Sequence, residues 1–283
     1  MSETGQGSGG GEYVLGTDAV ELARLGLQHR LWADAADGLW RRANLTPGSR
    51  VLDIGCGPGF AAMDMAALTG PRGRVVGVDE SEGFVREFGA QARARGMAWA
   101  ASYAGDVQDL DGVVARAGEG RAFDLAYCRW VLCFVKDPGR VVRAAASLLK
   151  PGGRFCIQDY FCYATMSLAP KEPAFTAVIN QIDRSWRDRG GDPDIVGRLP
   201  RLLADAGLRV THLDVHHRIA RPGDFMWTWP TVFWESVLPR LVASGHITSS
   251  MRTEFESAWS RASADPARFC FLPPVFDVVA ERV

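Results

Sequence analysis

The sequence carries no excess of charge of either sign: 32 Lys and Arg stand against 33 Asp and Glu, a formal net charge of -1. Without a basic stripe there is no long-range field to draw the chain to nucleic acid or to an anionic membrane. No apolar run approaches the roughly 18 residues that a bilayer-crossing helix needs. The first eleven residues are rich in Gly and Ser and lack the basic and apolar regions of a secretory signal, so residues 1–12 read as a disordered tail. The six cysteines, Cys56, Cys128, Cys133, Cys156, Cys162 and Cys270, form no CxxC pair, and the five histidines are dispersed apart from His216-His217. Neither a disulfide framework nor a metal site is expected; free thiols in a reducing, cytoplasmic setting are. Internal repeats and low-complexity segments beyond the tail are lacking as well.

What is present is an alternation. Asp18-Ala19-Val20-Glu21 has the spacing of a capping box, and Leu22, Leu25, His29, Trp32, Ala36 and Leu39 then recur on one helical face. Thr46-Pro47-Gly48 makes a turn. Strand character follows at Val51–Ile54, Val75–Val78, Ala98–Tyr103, Phe123–Tyr127 and Phe155–Ile157, with helical stretches between, near Ala61–Leu68, Phe84–Arg95 and Arg140–Leu149. Short apolar strands separated by helices imply βαβ units, hence a parallel sheet covered on both faces.

After Tyr160 the pattern changes. Phe175, Val178, Ile179, Ile182 and Trp186 mark an amphipathic helix; Leu199, Leu202 and Leu203 mark another, closed by Gly207. Arg209–Ile219 alternates as a half-exposed strand, with Leu213, Val215, His217 and Ile219 on its apolar side and His216 facing away. Residues 221–265 read as an aromatic-rich helical insertion, and Phe276–Arg282 as a final strand. The aromatic group Phe225, Trp227, Trp229, Phe233 and Trp234 fits either ordinary core or the wall of a substrate pocket. His216 and His217 are expected in core or surface roles rather than in catalysis.

The stretch that carries chemistry is Val51-Leu52-Asp53-Ile54-Gly55-Cys56-Gly57-Pro58-Gly59, an apolar strand running into a glycine turn. Glycines let the backbone turn tightly and approach a ligand that a Cβ would exclude. The dinucleotide fingerprint G-x-G-x-x-G would place its third glycine at position 60, which is Phe60, so the spacing argues against NAD. Asp79 ends the second strand, where a carboxylate can accept hydrogen bonds from both hydroxyls of a ribose. Gly105-Asp106-Val107 follows the third strand and offers an acceptor for an adenine amino group, although an Asp there also suits a helix N-cap. Three adjacent strand tips thus line the crevice in which open α/β sheets bind ligands.

In these residues, and in Phe123-Asp124-Leu125 and Leu149-Lys150-Pro151-Gly152-Gly153, the chain resembles the class I methyltransferases that use S-adenosylmethionine (SAM), near the ubiquinone and menaquinone biosynthesis type. The match spans about residues 50–160 in order. The resemblance implies a Rossmann-like α/β fold: a seven-stranded, mostly parallel sheet with helices on both faces. Residues 13–45 would form an N-terminal helical lid, 46–160 the SAM-binding core, and 161–283 the rest of the sheet with a helical substrate cap at about 221–265.

It further implies that Gly55 and Gly57, beside Asp53, hold the amino-acid part of SAM, that Asp79 holds the ribose, and that Asp106 and Val107 hold adenine. Cys128 and Arg129, after the fourth strand, would contact the methionine portion. Tyr13-Val14-Leu15-Gly16 with Leu27-Gln28 resembles an N-terminal cap in which Tyr13 and Gln28 reach the SAM carboxylate or amine; a buried polar pair of Gln28 and His29 is the competing reading.

The implied reaction is methylation of a small hydrophobic or aromatic acceptor at O, N or C, with S-adenosylhomocysteine (SAH) as product and neither nucleic acid nor membrane as partner. Transfer from a sulfonium is an in-line displacement, so positioning carries much of the catalysis and a base is needed only where the acceptor loses a proton. Candidate bases are His29, Asp159, Tyr160 and Tyr163. A methyltransferase-like protein that uses SAM for a cyclisation or rearrangement without methyl transfer would carry the same cofactor site.

Overall fold

The computed structural model describes residues 19–283; Asp18 of the expected capping box and Tyr13 of the expected cap lie outside the described residues. The strands in chain order are β1 (Arg50–Ile54), β2 (Arg74–Asp79), β3 (Ala100–Ala104), β4 (Phe123–Arg129), β5 (Leu149–Tyr160), β6 (Ser167–Ala169), β7 (Leu208–His216), β8 (Ile219–Ala220), β9 (Phe269–Phe271) and β10 (Val275–Arg282). The helices are α1 (Ala19–Leu31), α2 (Ala33–Arg42), α3 (Phe60–Thr69), α4 (Glu82–Ala94), α5 (Leu110–Arg116), α6 (Pro138–Leu148), α7 (Pro173–Asp188), α8 (Leu199–Asp205), α9 (Thr228–Ala243) and α10 (Ser249–Ser263).

Seven strands make one sheet in the order β3-β2-β1-β4-β5-β10-β7. Strands β1 to β5 are parallel, and β10 runs antiparallel between β5 and β7. The chain moves outward from β1 through β2 to β3 and then returns to lay β4 on the other side of β1. That reversal opens a crevice beyond the carboxyl ends of β1 and β4, the place where such sheets bind ligands. Helices cover both faces, as the apolar character of β1 on both sides demands: Val51, Leu52 and Ile54 are all fully buried. One face packs Leu52, Ile54 and Val76 under the helices α5 and α6; the other packs Val51 and Val75 with Trp40, Met63 and Phe88 from α2, α3 and α4.

Local chemistry sets the helix starts. Ser81 Oγ accepts the N–H of Phe84 and starts α4. Asp137 accepts the N–H of Arg140 ahead of Pro138, whose ring fixes φ in the first turn of α6. Thr248 does the same for α10 through the N–H of Met251.

Two expectations change, and one small sheet is unexpected. The first helix is two, α1 and α2, broken at Trp32, whose φ of -114° leaves the helical region. Trp32 is nevertheless buried, with its ring edge-on to Trp130 at 5.5 Å and Trp229 at 5.2 Å, so tertiary packing of one large side chain overrides a continuous helical pattern. The strand expected over Arg209–Ile219 splits into β7 and β8. Its apolar side is the open one: Leu213 is 51% exposed and Ile219 52%, while His216 turns inward to Asp277 and Trp32. A shift of register between Val279 and Ala280 adds one residue to β7, and a single added residue reverses the phase of an alternating strand. Finally, β6, β9 and β8 form a small second sheet of very short strands, which gives no periodic signal to read. The aromatic-rich insertion is helical as expected, in α9 and α10.

Candidate active site

A cavity of about 760 Å³ lies over the carboxyl ends of β1, β2 and β4. Its first wall is the turn after β1. Gly55 and Gly57 have φ of +68° and +52°, conformations that side chains other than glycine rarely adopt. A Cβ on Gly55 would overlap the side chain of Val131, whereas one on Gly57 would meet open space. So the first glycine serves packing and the second leaves room.

The N–H of Gly57 donates to Asp79 Oδ2 at 2.8 Å, and the N–H of Ser81 donates to Oδ1 at 2.9 Å. The carboxylate at the tip of β2 therefore holds the glycine turn in place and retains lone pairs for a ligand. Burial raises its pKa, and the two N–H bonds oppose the rise. Asp106 performs the role that an N-cap would: its Oδ1 accepts the N–H of Gln108 at 2.8 Å and starts a short turn of 3-10 helix. It lines the cavity as well, beside the buried Val107, so capping and ligand contact are compatible here.

Asp53 is 2% exposed, and burial pushes its carboxyl up to about 7 despite the nearby Arg129 guanidinium. Its Oδ2 has no hydrogen-bond partner. Arg129 ends β4, and its Nη1 is also buried and unpartnered. The other terminal nitrogen, Nη2, donates to His29 Nδ1 at 3.0 Å. A guanidinium only donates, so His29 Nδ1 accepts and Nε2 carries the proton given to Asp64 Oδ2 at 2.8 Å. A buried carboxyl and a buried guanidinium, each with an atom left over, thus lie on one cavity.

The cover is α1. Gln28 Oε1 accepts both Arg24 Nη1 at 3.1 Å and the indole N–H of Trp229 at 3.0 Å, tying the N-terminal helix to α9. Arg24 also holds Glu21 through two bonds, of 2.7 and 2.6 Å. Gln28 and His29 are therefore a satisfied polar pair and cavity-lining residues at once, so neither sequence reading excludes the other.

Beyond the acidic strand tips the lining turns aromatic. Trp130 stacks between Tyr160 and Trp229 at 6.0 Å on each side; Tyr163 and Trp186 continue the wall, and Phe134 meets Trp186 at 4.8 Å. Of the insertion's aromatics, Trp229 and Phe233 line the cavity, whereas Trp227 and Trp234 pack around Trp259 in the core. The choice between core and pocket wall divides these four, and Phe225, 59% exposed, belongs to neither.

Sequence reasoning missed Trp130, Phe134 and Trp186 as cavity residues. Trp130, with φ of +52°, is the one a local signal could have flagged, since it directly follows Arg129 after the fourth strand.

Two expected site residues are not brought to the cavity. Cys128 is fully buried, on the sheet face away from its neighbours Tyr127 and Arg129, which do line it. Asp159 is also fully buried; it accepts the backbone N–H groups of Cys133 at 3.2 Å and Tyr160 at 2.9 Å and so fixes the loop after β4. Burial raises its carboxyl to about 6, and it is not among the residues that line the cavity. Tyr160 and Tyr163 do line the cavity, and burial pushes both hydroxyl pKa values up. Among the described residues there is no cluster of His, Cys, Asp and Glu able to hold a metal, and no helix is long and apolar enough to cross a membrane.

The chain is similar to known proteins. Over 132 residues the chain is 36% identical to the 2-phytyl-1,4-naphtoquinone methyltransferase of Synechococcus elongatus, covering 46% of this chain and 53% of the relative. Over 176 residues it is 32% identical to a ubiquinone biosynthesis O-methyltransferase of Albidiferax ferrireducens, covering 56% and 62%. The chain spans about half the length of the curated relatives it matches. Its fold is shared with the YcgJ protein of Bacillus subtilis, at a TM-score of 0.58 and 16% identity over 88% of this chain and 98% of that one. The profile of a family described as a methyltransferase domain matches residues 45–190, from the turn before β1 to the end of α7, and the chain belongs to that family.

Proposed function

We propose that the chain is a SAM-dependent methyltransferase that methylates a small apolar or aromatic acceptor. The observation that carries this reading is the pair of buried, unsatisfied groups beside the glycine turn, Asp53 Oδ2 and Arg129 Nη1. An unpaired buried charge is costly, and a ligand bearing an ammonium and a carboxylate on one carbon complements both. The residues present fit the cofactor: Arg129 would donate to its carboxylate, Asp53 would accept from its amine, Asp79 would take the ribose hydroxyls, and Asp106 with Val107 would border the adenine. Gln28 joins the amino-acid side through Arg24 and α1. When bound, SAM supplies an electrophilic methyl group on a sulfonium.

The chain's own part is placement and exclusion of water. The wall from Trp130 to Trp186 offers flat apolar surface on which a ring can lie, and α1 with α9 closes the cavity from above, which supports reading the N-terminal segment as a cover. The tyrosine hydroxyls, their pKa values raised by burial, act as hydrogen-bond donors to an acceptor oxygen rather than as bases near neutral pH. His29 is the cavity-lining base, and it becomes available once Arg129 turns from Nδ1 to a ligand carboxylate.

Calorimetry tests the reading: SAH is expected to bind at one site and NAD not at all. Incubation with SAM and hydroxylated aromatics should then give products heavier by one methylene. Absence of heat with SAH overturns the proposal, and a product of unchanged mass would favour rearrangement over methyl transfer.

A further inference from the structure

Two cations on the cavity have no anion of their own. Lys136, in the loop after β4, and Arg189, just past α7, both line the cavity and are exposed. Neither side chain makes a hydrogen bond or an ion pair among the described residues. The fold brings their loops together. The N–H of Asp192 donates to the carbonyl of Cys133 at 2.8 Å, and Gly191 packs on that carbonyl and on the backbone of Phe134. Gly190, at φ of +87°, lies under the Lys136 stem, so close that a Cβ on it would stand 3.1 Å from Lys136 Cγ.

The acidic groups around this pair are already engaged. Asp188, which also lines the cavity, faces Arg184 at 3.7 Å and His246 at 3.3 Å. Asp192 and Asp194 are taken by Arg187, and Asp137 caps α6. The charge is therefore left for something that is not part of the described chain.

The position of the pair says what that is. Lys136 follows Phe134 by two residues, Arg189 follows Trp186 by three, and those two rings meet at 4.8 Å at the end of the aromatic wall. Along the strand tips, by contrast, the cavity is lined by Asp53, Asp79, Glu80 and Asp106, which repel an anion. An acceptor with a negative group has one favourable orientation: ring on the wall, charge at Lys136 and Arg189.

We propose that the acceptor is an anionic aromatic compound, its carboxylate or phosphate held by Lys136 and Arg189 and its ring against Phe134 and Trp186. This rests on the cofactor reading of the strand tips. It makes the cation pair a specificity device, since a rim charge selects and orients a ligand more than it tightens it.

The test uses the whole protein saturated with SAH and calorimetric titration with 2-naphthol, 2-naphthoate and 2-naphthyl phosphate. The anions are expected to bind about threefold to thirtyfold tighter than the neutral naphthol at low salt, as two exposed ion pairs allow, with the preference fading at high salt. The tighter of the two anions identifies the group as carboxylate or phosphate. Lys136→Gln with Arg189→Gln should abolish the preference, Lys136→Arg with Arg189→Lys should keep it, and SAH affinity should be unaltered in both. Equal affinity for naphthol and the anions, or a preference that survives the double Gln variant, overturns this proposal alone. Failure of the native protein to bind SAH overturns the cofactor reading and this proposal with it.

Discussion

The two halves of the cavity are built by different means. The strand-tip half comes from one continuous stretch: the turn after β1, the end of β2 and the turn after β3 lie side by side because parallel βαβ units place successive carboxyl ends together. Its polar groups hold one another, as Asp79 holds Gly57. The aromatic half draws on the loop after β4, the end of β5, α7 and α9, segments spread from Trp130 to Phe233. Apart from a few hydrogen bonds, such as that from the N–H of Asp192 to the carbonyl of Cys133, these segments are held together by packing. A half made by local topology tolerates little change in backbone and much in distant sequence. A half made by packing tolerates the reverse, which allows one catalytic frame to serve different acceptors.

That contrast can be broken at Gly55, where the largest effect is expected. Gly55→Ala combines a positive φ with overlap on Val131 and should cost about 2–4 kcal/mol of stability and abolish SAH binding. Gly57→Ala, with open space around its Cβ, should cost about 1 kcal/mol in stability and lose SAH affinity chiefly by filling that space. Thermal unfolding alongside SAH titration separates the two; equal stability losses would show that the turn is not shaped by Val131.

Next in size is Asp53. Burial raises its folded-state carboxyl from the ordinary 3.8 to about 7, so the fold prefers it protonated. The stability this contributes is fully present below about pH 4 and is lost as pH rises through about 7. Asp53→Asn removes the burial cost and should stabilise the ligand-free protein at pH 8 by on the order of 2 kcal/mol, while weakening SAH binding by about 1.5–3 kcal/mol. In the native protein SAH affinity should fall by up to about tenfold per pH unit below 7, because protonation of Asp53 removes the negative charge that pairs with an ammonium; in Asp53→Asn that slope should flatten. A Tm at pH 8 that drops in the Asn variant would show that Asp53 stabilises the fold as a carboxylate.

The smallest effect sharpens the comparison from the aromatic side. Trp229→Phe removes one hydrogen bond to Gln28 and should cost about 1 kcal/mol in stability, change SAH affinity less than twofold, and lower acceptor turnover. A matching fall in SAH affinity would mean that Gln28 couples the two halves.

From the amino acids alone, the parallel sheet, the glycine turn and the acids at 53, 79 and 106 could be read, because each is specified by neighbours in sequence: a strand run, a φ that glycine adopts most readily, a carboxylate at a strand end. The split of Asp106 between cap and cavity stayed open because both uses ask for the same residue at the same place. Tertiary structure alone decided the rest. Trp32 breaks the first helix because a large ring is worth more buried between Trp130 and Trp229 than an unbroken turn. Asp159 leaves the list of cavity-facing bases because the backbone N–H groups of Cys133 and Tyr160 claim it. Leu213 faces outward because one added residue near Val279 reverses the strand's phase. Lys136 comes alongside Gly190, next to Arg189, because the loops at Cys133 and Asp192 are hydrogen-bonded, and a contact between segments so far apart in sequence leaves no periodic trace in either one.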